Sequence, residues 1–123
     1  MLTTVAYVLA AALCLMVLFI GVRFLTQPIP AAAGYGVPAK PDGDRAYLTI
    51  KGVRDSTFGV VGLTLLAFST SGAAALFMAT VSLAPFGDTL VVLRNGGTKA
   101  VAFGIHLATA VVVLVSAALL FAV

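Results

Sequence analysis

The sequence predicts an all-α protein, an antiparallel four-helix transmembrane bundle, and three observations support this fold class. The composition is 62% hydrophobic and only 9% charged over 123 residues, whereas about a quarter of a soluble domain is charged. The connections that follow the second and third apolar stretches are short, which makes neighbouring helices antiparallel. Four stretches have the ~20 mostly apolar residues that a spanning helix needs, and they lie at about 2–22, 47–68, 72–93 and 100–123.

The first stretch, 2–22, is expected to be a retained helix and not a cleaved signal peptide. A signal peptide carries basic residues before a shorter apolar core, whereas here the core is long and Arg23 follows it. Cys14 lies in the middle of this stretch, where a small, apolar packing role is expected.

The connection 26–45 is rich in proline and glycine. Proline at this density excludes a continuous helix, yet the segment is nearly uncharged between residues 28 and 38. We therefore expect it to pack over the cytoplasmic mouth of the bundle, with Tyr35 at headgroup depth. The alternative is a solvated surface linker. Four of the five prolines of the chain lie here: Pro28, Pro30, Pro38 and Pro41.

The two remaining connections are short turns. A tight turn at 69–72 joins the second and third stretches. In the turn 95–98, Gly96 or Gly97 is expected to adopt the left-handed conformation and Thr98 to cap the fourth helix. Small residues recur at helical spacing and indicate inward-facing sides; the alternative is that some of them form homo-oligomer contacts. These sets are Thr3, Tyr7, Ala10, Cys14, Val17 and Gly21 in the first stretch, Gly52, Asp55, Gly59 and Gly62 in the second, and Ala102, His106, Thr109, Val113 and Ser116 in the fourth.

The basic residues report orientation in a membrane. Because basic loops stay on the cytoplasmic side, both charged connections are expected to be cytoplasmic and both termini outside, with a bacterial inner membrane as the location. The lipid bilayer is thus the expected partner. The net charge of +3 is too small, and too far from any basic face, to indicate nucleic-acid binding. The basic residues that carry this argument are Arg23, Lys40, Arg45, Lys51, Arg54, Arg94 and Lys99.

Ionisable residues inside the apolar stretches are the candidate functional groups, since such residues are costly there. Although the helices alternate in direction, Arg54, Asp55, Asp88 and His106 fall at similar depths, near Arg23. Arg54 with Asp88 and Arg23 with Asp55 are candidate pairs, and the reverse assignment fits equally well. Pro85 is expected to kink the third helix near Asp88.

Two functional interpretations and one structural interpretation follow from this polar layer. In the first, Asp88 or Asp55 is the acid or base for isomerase- or cyclase-like chemistry on a lipophilic substrate and His106 is its partner. In the second, the chain is a non-catalytic lipid-binding protein or an accessory subunit of a membrane complex. In the third, the charges only fix helix pairing. The expected ligand-binding residues are Arg23, Arg54, Tyr35, Phe58 and Phe103.

No cofactor and no metal site are expected. One histidine and one mid-membrane cysteine do not make a ligand set, and the chain has no glycine-rich phosphate loop, nucleophile elbow or CxxC motif.

Several short strings together resemble a known family of small integral membrane proteins of bacteria and fungi. They include 34–38 (GYGVP), 51–55 (KGVRD), 92–97 (VLRNGG) and His106, and the string 51–55 is the most specific. The chain resembles the domain-of-unknown-function family 4267 over nearly its whole length. The resemblance implies four helices and no particular activity.

Overall fold

The protein is described by a computed structural model that covers residues 1–40 and 42–123. These residues form helices and turns, with no strand among them, so the all-α prediction is confirmed. Pro41, one of the four prolines of the connection 26–45, lies outside the described residues. The helices are α1 (Leu2–Thr26), α2 (Pro28–Tyr35), α3 (Arg45–Phe68), α4 (Ser71–Val81), α5 (Leu83–Arg94) and α6 (Lys99–Phe121).

Three helical segments are long and apolar enough to cross a membrane. They are α1, the combined α4 and α5 (Ser71–Arg94), and α6. Helix α3 is as long, but charged residues occupy its first half, and only residues 56–68 form an uninterrupted uncharged run. A fourth membrane crossing by α3 therefore stays a prediction.

Helices α1 and α3 run antiparallel and lie in close contact through glycines. A Cβ added at Gly59 would lie 2.7 Å from the carbonyl oxygen of Cys14, and one added at Gly52 would lie 2.9 Å from the carbonyl oxygen of Gly21. Without a hydrophobic driving force in lipid, such close backbone packing holds helices together. The buried residues of α3 are those of the predicted small-residue set: Gly52, Asp55, Gly59 and Gly62.

The predicted third helix is broken into α4 and α5 at Ser82. Pro85 has no backbone N–H to donate to the residue four positions earlier, and its ring crowds that turn. The Ser82 hydroxyl donates to the carbonyl of Ala79 at 2.7 Å and is itself buried. The helix is thus interrupted near Pro85, and the expected kink stays a prediction.

The main core lies between α1, α4 and α6 and is built mostly of alanine. Small side chains let these three helices approach closely, as α1 and α3 do. Its members are Ala6, Ala10, Cys14, Ala74, Ala75, Met78, Val113, Ala117 and Leu120.

Helix α2 was not predicted, because the prolines of this connection were expected to exclude helix. Pro28 and Pro30 lie in the first turn, where a missing N–H costs nothing and the fixed φ angle favours helix. The helix ends at Gly36, which has φ +97°. A Cβ at this position would also lie 2.7 Å from Val101, so both conformation and space require glycine.

Helix α6 is not uniform. The Thr98 hydroxyl accepts from the Val101 N–H at 3.2 Å, and Gly96 has φ +79°, so the predicted cap and left-handed glycine are confirmed. The helix continues as a π-helical segment, Ala102–Leu107, before it returns to α-helix at Ala108–Phe121. Such segments are rare and are frequently found at functional sites; this one contains His106.

Candidate functional site: an apolar cavity closed by a tyrosine

The described residues line a partly open cavity of about 170 Å³ between α1, α3, α4, α5 and α6. Most of its lining is apolar, and we call it the inner cavity. Its apolar wall includes Leu13, Met16, Val17, Ile20, Phe58, Phe77, Met78, Val81, Ile105 and Val113. The polar side chains in the lining are Tyr35, Asp55, Asp88, His106 and Thr109.

Tyr35 closes the polar side of the inner cavity. Its hydroxyl donates to Oδ2 of Asp88 on α5, which ties α2 to the opposite side of the bundle. Its ring meets the ring of Phe24 edge-on, with centroids 5.6 Å apart. The expectation that the connection 26–45 packs over one mouth of the helices therefore agrees with the position of α2.

His106 contacts the backbone of Tyr35. His106 Nε2 lies 2.7 Å from the carbonyl oxygen of Tyr35. Because a carbonyl only accepts, Nε2 carries the proton, and Nδ1 of the neutral ring is an acceptor. The two rings also stack at a tilt, with centroids 4.3 Å apart. His106 is only 2% exposed, although it lies in the wall of the inner cavity.

Lys51 completes the polar group from α3. Its ammonium lies 2.8 Å from Oδ2 of Asp55, one helical turn away. It also lies 4.2 Å from the centre of the Tyr35 ring and 5.0 Å from that of Phe24, within cation–π range. Tyr35 is thus contacted by a cation on one face, by His106, and by the carboxylate that accepts a hydrogen bond from its hydroxyl.

The expected arginine pairs are wrong. Among the described residues, the ion pair to Asp55 comes from Lys51, and neither Arg23 nor Arg54 forms one. Both arginines are exposed. Asp88 accepts a hydrogen bond from the neutral hydroxyl of Tyr35, where an ion pair with an arginine was expected. The reason is geometric: Arg54 neighbours the buried Asp55 in sequence and so points to a different side of α3.

The structure therefore divides the predicted site residues into two groups. Asp55, Asp88, His106, Tyr35 and Phe58 come together at the inner cavity. Phe103, 46% exposed, lies on the outer surface of α6, and the two arginines lie away from the cavity lining. Their assigned roles remain predictions.

Two features of the candidate site were not predicted from the sequence. Lys51 was interpreted only as a marker of orientation, although its spacing of four residues from Asp55 is the spacing of a helical ion pair. The π-helical segment around His106 left no recognisable signal in the sequence.

The surroundings of Tyr35 strongly favour its neutral form. Burial raises the pKa of this hydroxyl well above its ordinary value of 10.0, and the negative charge of Asp88 and the hydrogen bond to it act in the same direction. Asp55 adds to the rise and Arg54 opposes it. Tyr35 is therefore a lasting hydrogen-bond donor to Asp88 over the physiological pH range.

A second depression lies on the other side of the same contact. It is an open groove between α2, α3 and the C-terminal end of α5, lined by residues that include Leu48, Lys51 and Asn95. Tyr35 and Asp88 line both the groove and the inner cavity. The hydrogen bond between them is thus part of the partition between an apolar interior and a more polar surface.

The fold and this site define a class of protein: a small all-helical chain, with helices suited to a membrane, around one apolar cavity with a polar end. The chain belongs to a particular family of that class. The family described as a domain of unknown function (DUF4267) matches it over residues 14–120, and the resemblance drawn from the sequence is confirmed. No curated protein and no solved structure matches the chain.

Proposed function

We propose that this chain is an integral membrane protein that binds a small lipophilic molecule in the inner cavity. The observation that carries the proposal is the cavity of about 170 Å³, with its apolar wall and its few polar groups gathered around Tyr35. Ligand sites are typically of this kind: apolar surface provides affinity, and a small number of polar groups fixes orientation.

In this proposal α3 is the fourth spanning helix of an antiparallel bundle. Gly59 and Gly62, in the uncharged part of α3, pack against Cys14 of α1, a helix that is itself suited to the membrane, and this contact supports a similar depth for α3. Its charged residues lie at the end covered by α2. Lys51 and Asp55 neutralise each other there, and the exposed Arg54 has a long stem that reaches toward the interface. The polar end and both charged connections then face the cytoplasm.

The test of binding is native mass spectrometry of gently extracted protein with the inner cavity filled by mutation. Val113 is 8% exposed and lines the cavity, so Val113→Phe occupies part of its volume. Val111 is 49% exposed on the same helix, and Val111→Phe is the matched control. A retained lipophilic molecule in the wild type and in Val111→Phe, lost in Val113→Phe, supports the proposal. A wild type that retains nothing and gains no stability from any lipophile contradicts it.

Proton-transfer chemistry on the bound molecule is a second candidate function. The observation that favours it is the contact of two proton-carrying groups, Tyr35 and Asp88, in the wall of an apolar cavity. A general acid or base must lie within hydrogen-bonding distance of the group with which it exchanges a proton, and neighbouring groups must tune its pKa. The molecules retained by the wild type and by Asp88→Asn decide between the two functions. Isomeric molecules, substrate in the variant and product in the wild type, indicate catalysis, whereas one and the same molecule indicates binding alone.

A further inference from the structure

The lining of the inner cavity has several hydrogen-bond acceptors without a partner among the described residues, and few donors. Asp88 uses Oδ2 to accept from Tyr35, and Asp55 uses Oδ2 to accept from Lys51. The other oxygen of each carboxylate receives no hydrogen bond from the described residues. Both residues line the cavity.

The third spare acceptor belongs to a deeply buried side chain. His106 is 2% exposed and donates through Nε2 to the Tyr35 carbonyl. Its Nδ1 is then an acceptor in the neutral ring, and within the described part of the chain it has no hydrogen-bond partner. Of the donors nearby, the Tyr35 hydroxyl is committed to Asp88, and the Lys51 ammonium, which lines the open groove, to Asp55. The hydroxyl of Thr109, which also lines the cavity, is a neutral donor.

The charges act in the same direction as the hydrogen bonds. Two carboxylates line the cavity, and the described residues supply one ammonium for the pair, since the other basic side chains form no ion pair with them. In a largely apolar lining, a carboxylate without a cation is less well stabilised than one that is paired. A ligand that brings donors and a positive charge supplies this stabilisation, whereas a ligand with an anionic head opposes it.

We propose that the ligand of the inner cavity is a lipophilic amine, whose protonated nitrogen donates to the free oxygen of Asp88 while its hydrocarbon part fills the apolar wall. This inference rests on the proposed function, that the cavity binds a lipophile, and adds the chemical class of the head group. A primary ammonium has three N–H donors, so beyond its bond to Asp88 it has donors for other acceptors in the lining. A fatty acid with the same hydrocarbon chain as the amine is expected to bind this cavity more weakly, because its head group is anionic.

The experiment compares three eight-carbon probes: octylamine, octanol and octanoate. Each is titrated into the full-length protein in detergent, and binding is followed by native mass spectrometry and by thermal unfolding. Because the probes partition differently into micelles, each affinity is expressed as the ratio of wild type to Asp88→Asn. In this variant the asparagine oxygen still accepts from Tyr35, so α2 keeps its contact. Asp42→Asn, at an exposed carboxylate, is the matched control.

We expect Asp88→Asn to weaken octylamine binding about tenfold or more, the ratio that corresponds to ~1.4 kcal/mol, and to leave octanoate binding unchanged or stronger. Asp42→Asn leaves all three affinities as they are in the wild type. Probes that bind with the same wild-type to Asp88→Asn ratio for octylamine as for octanol and octanoate overturn the amine inference and leave the proposed function standing. A wild type that binds none of the probes overturns both.

A comparison on the wild type alone covers the case in which Asp88→Asn does not fold. Octyltrimethylammonium has the same charge and chain as octylamine but no N–H group. We expect it to bind about tenfold more weakly than octylamine, because the spare acceptors then remain without donors. Equal binding of the two cations overturns the inference that hydrogen bonding to Asp88 selects the ligand.

Discussion

The hydroxyl of Tyr35 donates to a carboxylate oxygen of Asp88, 53 residues further along the chain. This contact joins a short helix in a proline-rich connection to the helix that follows Pro85. It also closes one side of the inner cavity, because both residues line it. A single hydrogen bond therefore links the position of α2 to the chemistry of the site, and its removal affects both.

Tyr35→Phe should lower the stability of the protein by about 1–3 kcal/mol, the usual cost of leaving a buried polar partner without its hydrogen bond. The ring contacts with Phe24 and His106 are kept, so the change isolates the hydroxyl. The measurement is thermal unfolding in detergent. Tyr47 is 72% exposed, and Tyr47→Phe is the control that should change nothing. Equal effects of the two substitutions would show that the Tyr35 contact adds no stability.

Alkaline pH should weaken the docking of α2. The folded state raises the pKa of Tyr35 above its ordinary value of 10.0, so at high pH the unfolded chain loses this proton while the folded chain keeps it. Stability from this group is therefore complete below pH 10.0 and declines as pH rises above it. The measurement is the unfolding temperature from pH 8 to pH 11, in ~0.5 pH-unit steps, of wild type and Tyr35→Phe. The wild type should show the steeper decline, and parallel curves would contradict the assignment.

The fold followed from the sequence where one physical rule dominated. Long apolar runs demand helix, since every backbone polar group must be satisfied in lipid, and glycines at helical spacing, such as Gly59 and Gly62, indicate a contact face. Helix α2 was missed because proline was weighed as a helix breaker, whereas Pro28 and Pro30 lie where a helix tolerates proline.

The candidate site was only half predictable, because depth in a membrane can be counted along a sequence but direction around a helix is harder to judge. Counting turns brought Asp55, Asp88 and His106 to a common level. It did not tell which cation faces Asp55, and Lys51 has that place although Arg54 is nearer in sequence. The contact of Tyr35 with Asp88 depends on the path of a connection, which no periodicity describes.

Lys51→Met should destabilise the protein by about 2–3 kcal/mol, because it leaves the nearly buried Asp55 without a cation. The two side chains are only 19% and 11% exposed, so solvent screens the pair weakly. The double variant Lys51→Met, Asp55→Asn should recover much of the loss, since no unpaired charge is left. Thermal unfolding of the single and double variants gives the coupling.

The control for this pair is Lys40→Met, at an exposed lysine, which should leave the unfolding temperature unchanged. Strictly additive effects of Lys51→Met and Asp55→Asn would show that the ion pair is not energetically coupled.

Gly59→Ala should destabilise the contact of α1 and α3 by about 1–3 kcal/mol, the usual range for overpacking. The added Cβ would lie 2.7 Å from the carbonyl oxygen of Cys14, and a backbone atom cannot move aside as a side-chain end can. Gly87 lies in α5 with nothing within 4 Å of an added Cβ. Gly87→Ala should therefore be neutral or stabilise by up to about 1 kcal/mol. Thermal unfolding compares them, and equal changes would argue against close packing at Gly59.

Single cysteines at the two ends of α3 test whether this helix crosses the membrane. Gly43 precedes α3 in open space and Ser69 follows it at an exposed turn. A membrane-impermeant maleimide applied to intact cells should label Ser69→Cys, and should label Gly43→Cys only after permeabilisation, because basic connections stay in the cytoplasm. The wild type is the control, since its Cys14 is buried. The reverse pattern would invert the orientation but keep the crossing. Labelling of both positions from one side would exclude a spanning α3, and with it the four-helix transmembrane bundle.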